Sequence, residues 1–191
     1  GIYIFNWHAD RDARRQLLTE IGSPETLLGK DKIYAATHRS VIRGGPWSGA
    51  TDNDRIWGEV PAPLKATLTG DGPTITIDVA DDAESSRPSS IVLRARLDNW
   101  MDGDAVSIVW DGIERRDVQV LDDIEHDPTA NPFGAPLMDW GSAVWLSSEL
   151  SPAEAARGRH AVKVVLKKRS PHLTVDIVLT DVELVFSHGE S

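Results

Sequence analysis

Downstream of about residue 60, apolar side chains fall at every second position, and this repeated period-two pattern constrains the fold more than any other feature. Leu64, Ala66 and Leu68 alternate with polar neighbours. So do Ile75, Ile77 and Val79, and then Ile91, Leu93, Ala95 and Leu97, with Arg94 and Arg96 at the opposite parity. Successive side chains of a strand point to opposite faces, so each run predicts a strand with one apolar and one wet face. Val106, Ile108 and Trp110 lead into Asp111-Gly112, a strong two-residue hairpin signal, and Val118 and Val120 suit the returning strand. Two longer runs close the chain: Val162, Val164 and Leu166, then Val175, Ile177 and Leu179, continued past Thr180-Asp181 by Val182, Leu184 and Phe186. Ala143 to Leu146 reads as a further strand, with Trp145 and Trp110 as core residues. Short strands separated by turns predict a mainly β fold, an antiparallel β-sandwich or jelly roll of eight to ten strands over residues 60–188.

The N-terminal part has a different texture. Residues 1–7, GIYIFNW, are almost continuously apolar and β-prone, as in a strand covered on both faces. Ala13, Leu17, Leu18 and Ile21 then follow helical spacing up to Gly22. Ser23-Pro24 restarts a helix, whose apolar face Leu27, Leu28, Ile33 and Tyr34 continue. The expected organisation is a short β-α segment over residues 1–40, a glycine-rich linker over 41–60 and the sandwich over 61–191. Ser151-Pro152-Ala153-Glu154 reads as a capping box opening a turn or two of helix before Gly158. Lys167-Lys168-Arg169 reads as the solvent end of a strand.

The formal net charge of −10 repels a nucleic-acid backbone and an anionic membrane surface, so neither is an expected partner. With no cysteine there is neither a disulfide framework nor a thiolate metal site. No apolar run reaches the roughly 18–20 residues that span a bilayer. The opening residues carry no signal-peptide pattern and read like the interior of a longer protein.

Residues 91–112, IVLRARLDNWMDGDAVSIVWDG, and 158–186, GRHAVKVVLKKRSPHLTVDIVLTDVELVF, together with Val79-Ala80-Asp81-Asp82, carry a resemblance. They are similar to the C-terminal sandwich of bacterial family-10-like glycoside-hydrolase-like proteins, and to the galactose-binding-like jelly rolls appended to many glycosidases. In such proteins the sandwich follows a TIM-type barrel. GIYIFNW and the stretch SPETLLGKDKIY look like the barrel's last strand and helix. The resemblance implies that catalytic carboxylates lie upstream, with Asn6 and His8 near the end of that last strand. It implies an accessory module of a secreted or periplasmic polysaccharide-acting protein. Its partners would be a polysaccharide or oligosaccharide, and an upstream catalytic barrel or a second copy of the chain packed on residues 1–7.

Two residue sets are the candidates for chemistry. Sugar rings stack on exposed aromatic faces, and Trp100, Phe133 and Trp140 fall in turns or loops, while Trp47 and Trp57 flank the linker. Packing over the end of the sandwich is the alternative role for each. Asp122, Asp123, Glu125 and Asp127, with His126, give an oxygen-rich stretch suited to calcium, or else a solvated acidic loop; no cofactor is otherwise required. Catalytic patterns such as G-x-S-x-G, H-E-x-x-H and the P-loop are absent, so the chain by itself leans away from being an enzyme. The competing expectation is a structural module that orients or shields a neighbouring barrel without binding glycan.

Overall fold

The computed structural model describes residues 28–36, 59–122, 142–172 and 175–189. Among these, ten strands and one short helix follow in chain order: β1 (Lys32–Ala35), β2 (Ala62–Leu64), β3 (Thr74–Val79), α1 (Ala83–Ser86), β4 (Ser90–Trp100), β5 (Ala105–Trp110), β6 (Ile113–Glu114), β7 (Gln119–Asp122), β8 (Ser142–Glu149), β9 (Gly158–Lys168) and β10 (Ile177–Ser187). They form two antiparallel sheets. The larger runs β1-β10-β4-β8-β7, with β2 also paired to β10; the smaller runs β3-β9-β5-β6. The chain alternates between the sheets, which makes the architecture the expected antiparallel β-sandwich of jelly-roll type.

The core lies between the sheets and is filled by the period-two positions. Ile75, Ile77 and Val79 of β3, Ile108 and Trp110 of β5, and Val162, Val164 and Leu166 of β9 face Ile91, Leu93, Ala95 and Leu97 of β4 and Ile177, Leu179, Val182, Leu184 and Phe186 of β10. Trp110 is the core residue it was expected to be, with 2% of its surface exposed. The irregularity at Thr180-Asp181 is a register shift between Leu179 and Asp181, which lets β10 keep its apolar face inward on both sides of it. Asp111 and Gly112 have φ of 46° and 84°, the two positive values that a type I′ turn requires.

Four local expectations are corrected. Ile33 and Tyr34 lie in strand β1, not on a helix, because the free edge of β10 offers Lys32–Ala35 a ladder. Tyr34 then packs edge-on to Phe186, at 5.4 Å between ring centres. Burial, then the charge of Asp81, pushes the Tyr34 hydroxyl up to about 12. Lys32 on the same strand bonds the buried Asp81 carboxylate at 2.5 Å, which ties β1 to the chain just after β3. Second, strand β2 stops at Leu64; the chain turns at Lys65–Leu68, and Leu68 is half exposed rather than inward. Third, the strand returning from the Asp111-Gly112 turn lasts only two residues. The chain then crosses, and Val120 lies in β7 of the other sheet, opposite Leu146. Fourth, residues 151–155 form a hydrogen-bonded turn and not a helix, although the capping box itself is made: Ser151 N and Oγ donate to Glu154 Oε2 at 2.8 and 2.7 Å.

Candidate functional site

The inner parity of the large sheet is consumed by the core, so its chemistry is carried by the outer parity. On β4 the outward residues are Val92, Arg94, Arg96 and Asp98, on β8 Trp145 and Ser147, and on β10 Asp181, Glu183 and Val185. Register aligns them in rows across the sheet. Glu183, Arg94, Ser147 and Gln119 stand in one row, and Asp181, Arg96, Trp145 and Leu121 in the next. Trp145 was expected in the core. It points the other way, because Val144 and Leu146 on either side take the buried parity.

The Arg94 guanidinium sits 4.8 Å from the centre of the Trp145 ring, a cation–π contact between neighbouring rows. Arg94 Nε donates to Glu183 Oε2 at 2.7 Å, and its two terminal nitrogens make no hydrogen bond among the described residues. The Arg94 side chain is 38% exposed and that of Glu183 19%. Beside them Arg96 forms an ion pair with Asp98 at 2.8 Å and donates to the Thr180 hydroxyl at 3.0 Å. The face thus combines an indole, a guanidinium with donors unused among the described residues and a fixed carboxylate. A sugar needs this set: the ring's C–H face stacks on an aromatic, and its hydroxyls bridge planar donors and acceptors.

Of the residues named from sequence, Trp100 is the last residue of β4 and not a loop residue. Asn99, at φ 62°, sits in an irregularity of the β4–β8 register. Beyond it Trp100 is packed, half-buried, against the core. Trp47, Trp57, Phe133 and Trp140 lie outside the described residues. Asp122 is exposed at the end of β7, while Asp123, Glu125, His126 and Asp127 lie outside the described residues, as do Asn6 and His8. Among the described residues no three acidic or histidine side chains gather as metal ligands.

A second polar cluster closes one end of the sandwich. Arg115 donates to Ser148 Oγ at 2.9 Å, to Glu154 Oε1 at 2.5 Å and to the Glu149 carbonyl at 2.6 Å, and pairs with Asp117 at 3.2 Å. Asp117 also accepts from Ser148 Oγ and from the Glu149 amide. The Ser151 amide first, then its hydroxyl and Arg115, hold the Glu154 carboxyl below its usual range. Next to this node His160 stacks on Trp110 at 4.7 Å between ring centres, and the indole N–H donates to the Glu154 carbonyl at 2.9 Å. These groups satisfy one another, which suits a structural clamp more than a ligand site.

No protein-family model matches the chain, and neither does any curated protein. Among solved structures, a two-domain esterase active on acetylated mannans, co-crystallised with mannopentaose, aligns at 15% identity with a TM-score of 0.32. The alignment covers 85% of this chain and 35% of that one, so the chain spans about a third of the esterase's length. At that TM-score the likeness transfers neither substrate nor site.

Proposed function

We propose that this chain is a non-catalytic, carbohydrate-binding β-sandwich of a glycoside-hydrolase-like protein, acting on the outside of the cell or in the periplasm beside an upstream catalytic barrel. The observation that carries the reading is Trp145 on the outer face of the large sheet beside Arg94, whose terminal nitrogens make no hydrogen bond among the described residues and whose Nε is held by Glu183. A core tryptophan would need no such company. Loop aromatics at Trp47, Trp57, Phe133 and Trp140 would extend the contact along a polysaccharide, and Asp122, Asp123, Glu125 and Asp127 would take calcium. Native gels cast with a panel of polysaccharides test the reading. The wild-type chain is retarded by at least one glycan, and Trp145→Ala loses the retardation while keeping its fold.

A second reading is a structural module that orients the neighbouring barrel. It is favoured by Ile33, 53% exposed, and Leu121, 48% exposed, at the two edges of the same face, where a protein neighbour would cover both. Unretarded migration on every glycan, combined with co-purification with the barrel, selects it.

A further inference from the structure

Arg94 and Glu183 stand side by side in the middle of the large sheet's outer face, and each has hydrogen-bonding capacity left. Arg94 Nε is engaged with Glu183 Oε2. The two terminal nitrogens of Arg94, and Oε1 of Glu183, make no hydrogen bond among the described residues. Their row continues into Ala35 of β1 on one side and Ser147 of β8 on the other, side chains too short to cover the pair. The neighbouring row on one flank is Ile33, Val185 and Val92. On the other flank Trp145 steadies the guanidinium, 4.8 Å from the ring centre. A polar pair with spare donors and a spare acceptor thus lies between an aliphatic row and an indole.

We propose that Arg94 and Glu183 select a neutral sugar residue through two neighbouring hydroxyls and turn acidic glycans away, a proposal that rests on the carbohydrate-binding reading above. A guanidinium fork donates in parallel to two adjacent oxygens. A carboxylate only accepts. A hydroxyl does both, so it takes a hydrogen bond from Arg94 and gives one to Glu183 Oε1. The carboxylate of a uronic acid has no proton to give, and beside Glu183 it meets a like charge at close range. The charge of the face points the same way. Strands β4 and β10 present two arginines, Arg94 and Arg96, against three carboxylates, Asp98, Asp181 and Glu183. The whole chain carries a formal net charge of −10. Such a field repels an anionic polymer and leaves a neutral one unaffected. The apolar flanks suit the C–H edges of the same sugar ring.

The test is depletion of the full chain onto beads coated with neutral polysaccharides (a glucan, a mannan and an unsubstituted xylan) or with polygalacturonate or alginate. The wild type should bind at least one neutral polysaccharide and neither acidic one. Arg94→Lys keeps the charge and loses the fork; Glu183→Leu removes the acceptor. Each should raise the dissociation constant for the neutral polysaccharide about tenfold, the scale of one lost charge-assisted hydrogen bond. Binding of the wild type to an acidic polysaccharide overturns the inference and leaves the carbohydrate reading standing, and so does unchanged neutral binding in either folded variant. Binding to none of the beads, neutral or acidic, overturns that reading and this inference with it. Should one variant not fold, the other variant and the wild type's choice between neutral and acidic beads decide.

Discussion

At the hairpin end of the sandwich, Arg115, Asp117, Glu154, His160 and Trp110 are bound to one another and to backbone groups of the stretch 149–156. On the outer face of the large sheet, Arg94 makes one hydrogen bond, leans on an indole and leaves its terminal nitrogens uncommitted among the described residues. The residue types are nearly the same, an arginine, acidic partners and a tryptophan. What differs is closure. The first set holds β5, β6, β8 and the turn before β9 in one arrangement. The second is placed by the sheet alone and has capacity left for a third party. The same chemistry is thus closed on itself in one place and, among the described residues, left with spare donors in the other.

The largest test of this contrast is at a third cluster, the most deeply buried of the three. Asp104 and Arg169 form an ion pair whose side chains are 0% and 6% exposed; Asp104 also accepts the amides of Met101 and Ser170. Removing one partner leaves a buried charge, so Asp104→Ala or Arg169→Ala should cost about 3–5 kcal/mol in urea unfolding. Next comes Arg115→Ala, expected to cost about 2 kcal/mol, because its carboxylate partners are partly solvated. If Arg115→Ala costs nothing, the closed cluster is decoration and the contrast fails. Trp145→Ala should cost about 1–2 kcal/mol, the scale of a partly buried cation–π contact, yet remove glycan retardation. A large stability loss with unchanged retardation would invert the roles assigned to the two regions. Glu154→Gln probes pH. The folded-state carboxyl is held low, so its contribution is present above the unfolded value near about 4.3 and is lost as pH falls through the folded value. The variant should show a shallower acid limb in melting temperature. Smallest of all, Asp78→Asn breaks a pair with Arg159 that is exposed on both sides, and no change in melting temperature is expected.

The sandwich was legible wherever alternation was long. β4, β9 and β10 were readable from side-chain parity, and the Asp111-Gly112 turn and the Ser151–Glu154 capping box from their own chemistry. Parity also held the clue to Trp145, since Val144 and Leu146 fix which face is buried; its place in a strand does not by itself say which face it takes. Strand β1 was hidden because its four residues follow apolar positions at helical spacing, and its ladder partner on β10 is more than a hundred residues away in sequence. The jump from β6 to β7 was hidden for a similar reason: nothing local to Val118 and Val120 says which sheet will receive them. Gly72 gave no signal, although a Cβ there would stand 1.7 Å from the Val164 oxygen, an approach that exists only once β9 is in place. The site is harder to read than the fold because the outward side chains are brought together by cross-strand register, which no local stretch of sequence records.

β1 and β2 lie end to end along one edge of β10, β2 against Ile177–Leu179 and β1 against Glu183–Phe186, with the register shift of β10 between them. Each short strand is therefore registered by its own ladder, and neither depends on the length of chain that joins them. A force that peels β1 from Glu183–Phe186 would therefore leave the rungs of β2 at Ile177–Leu179 in place.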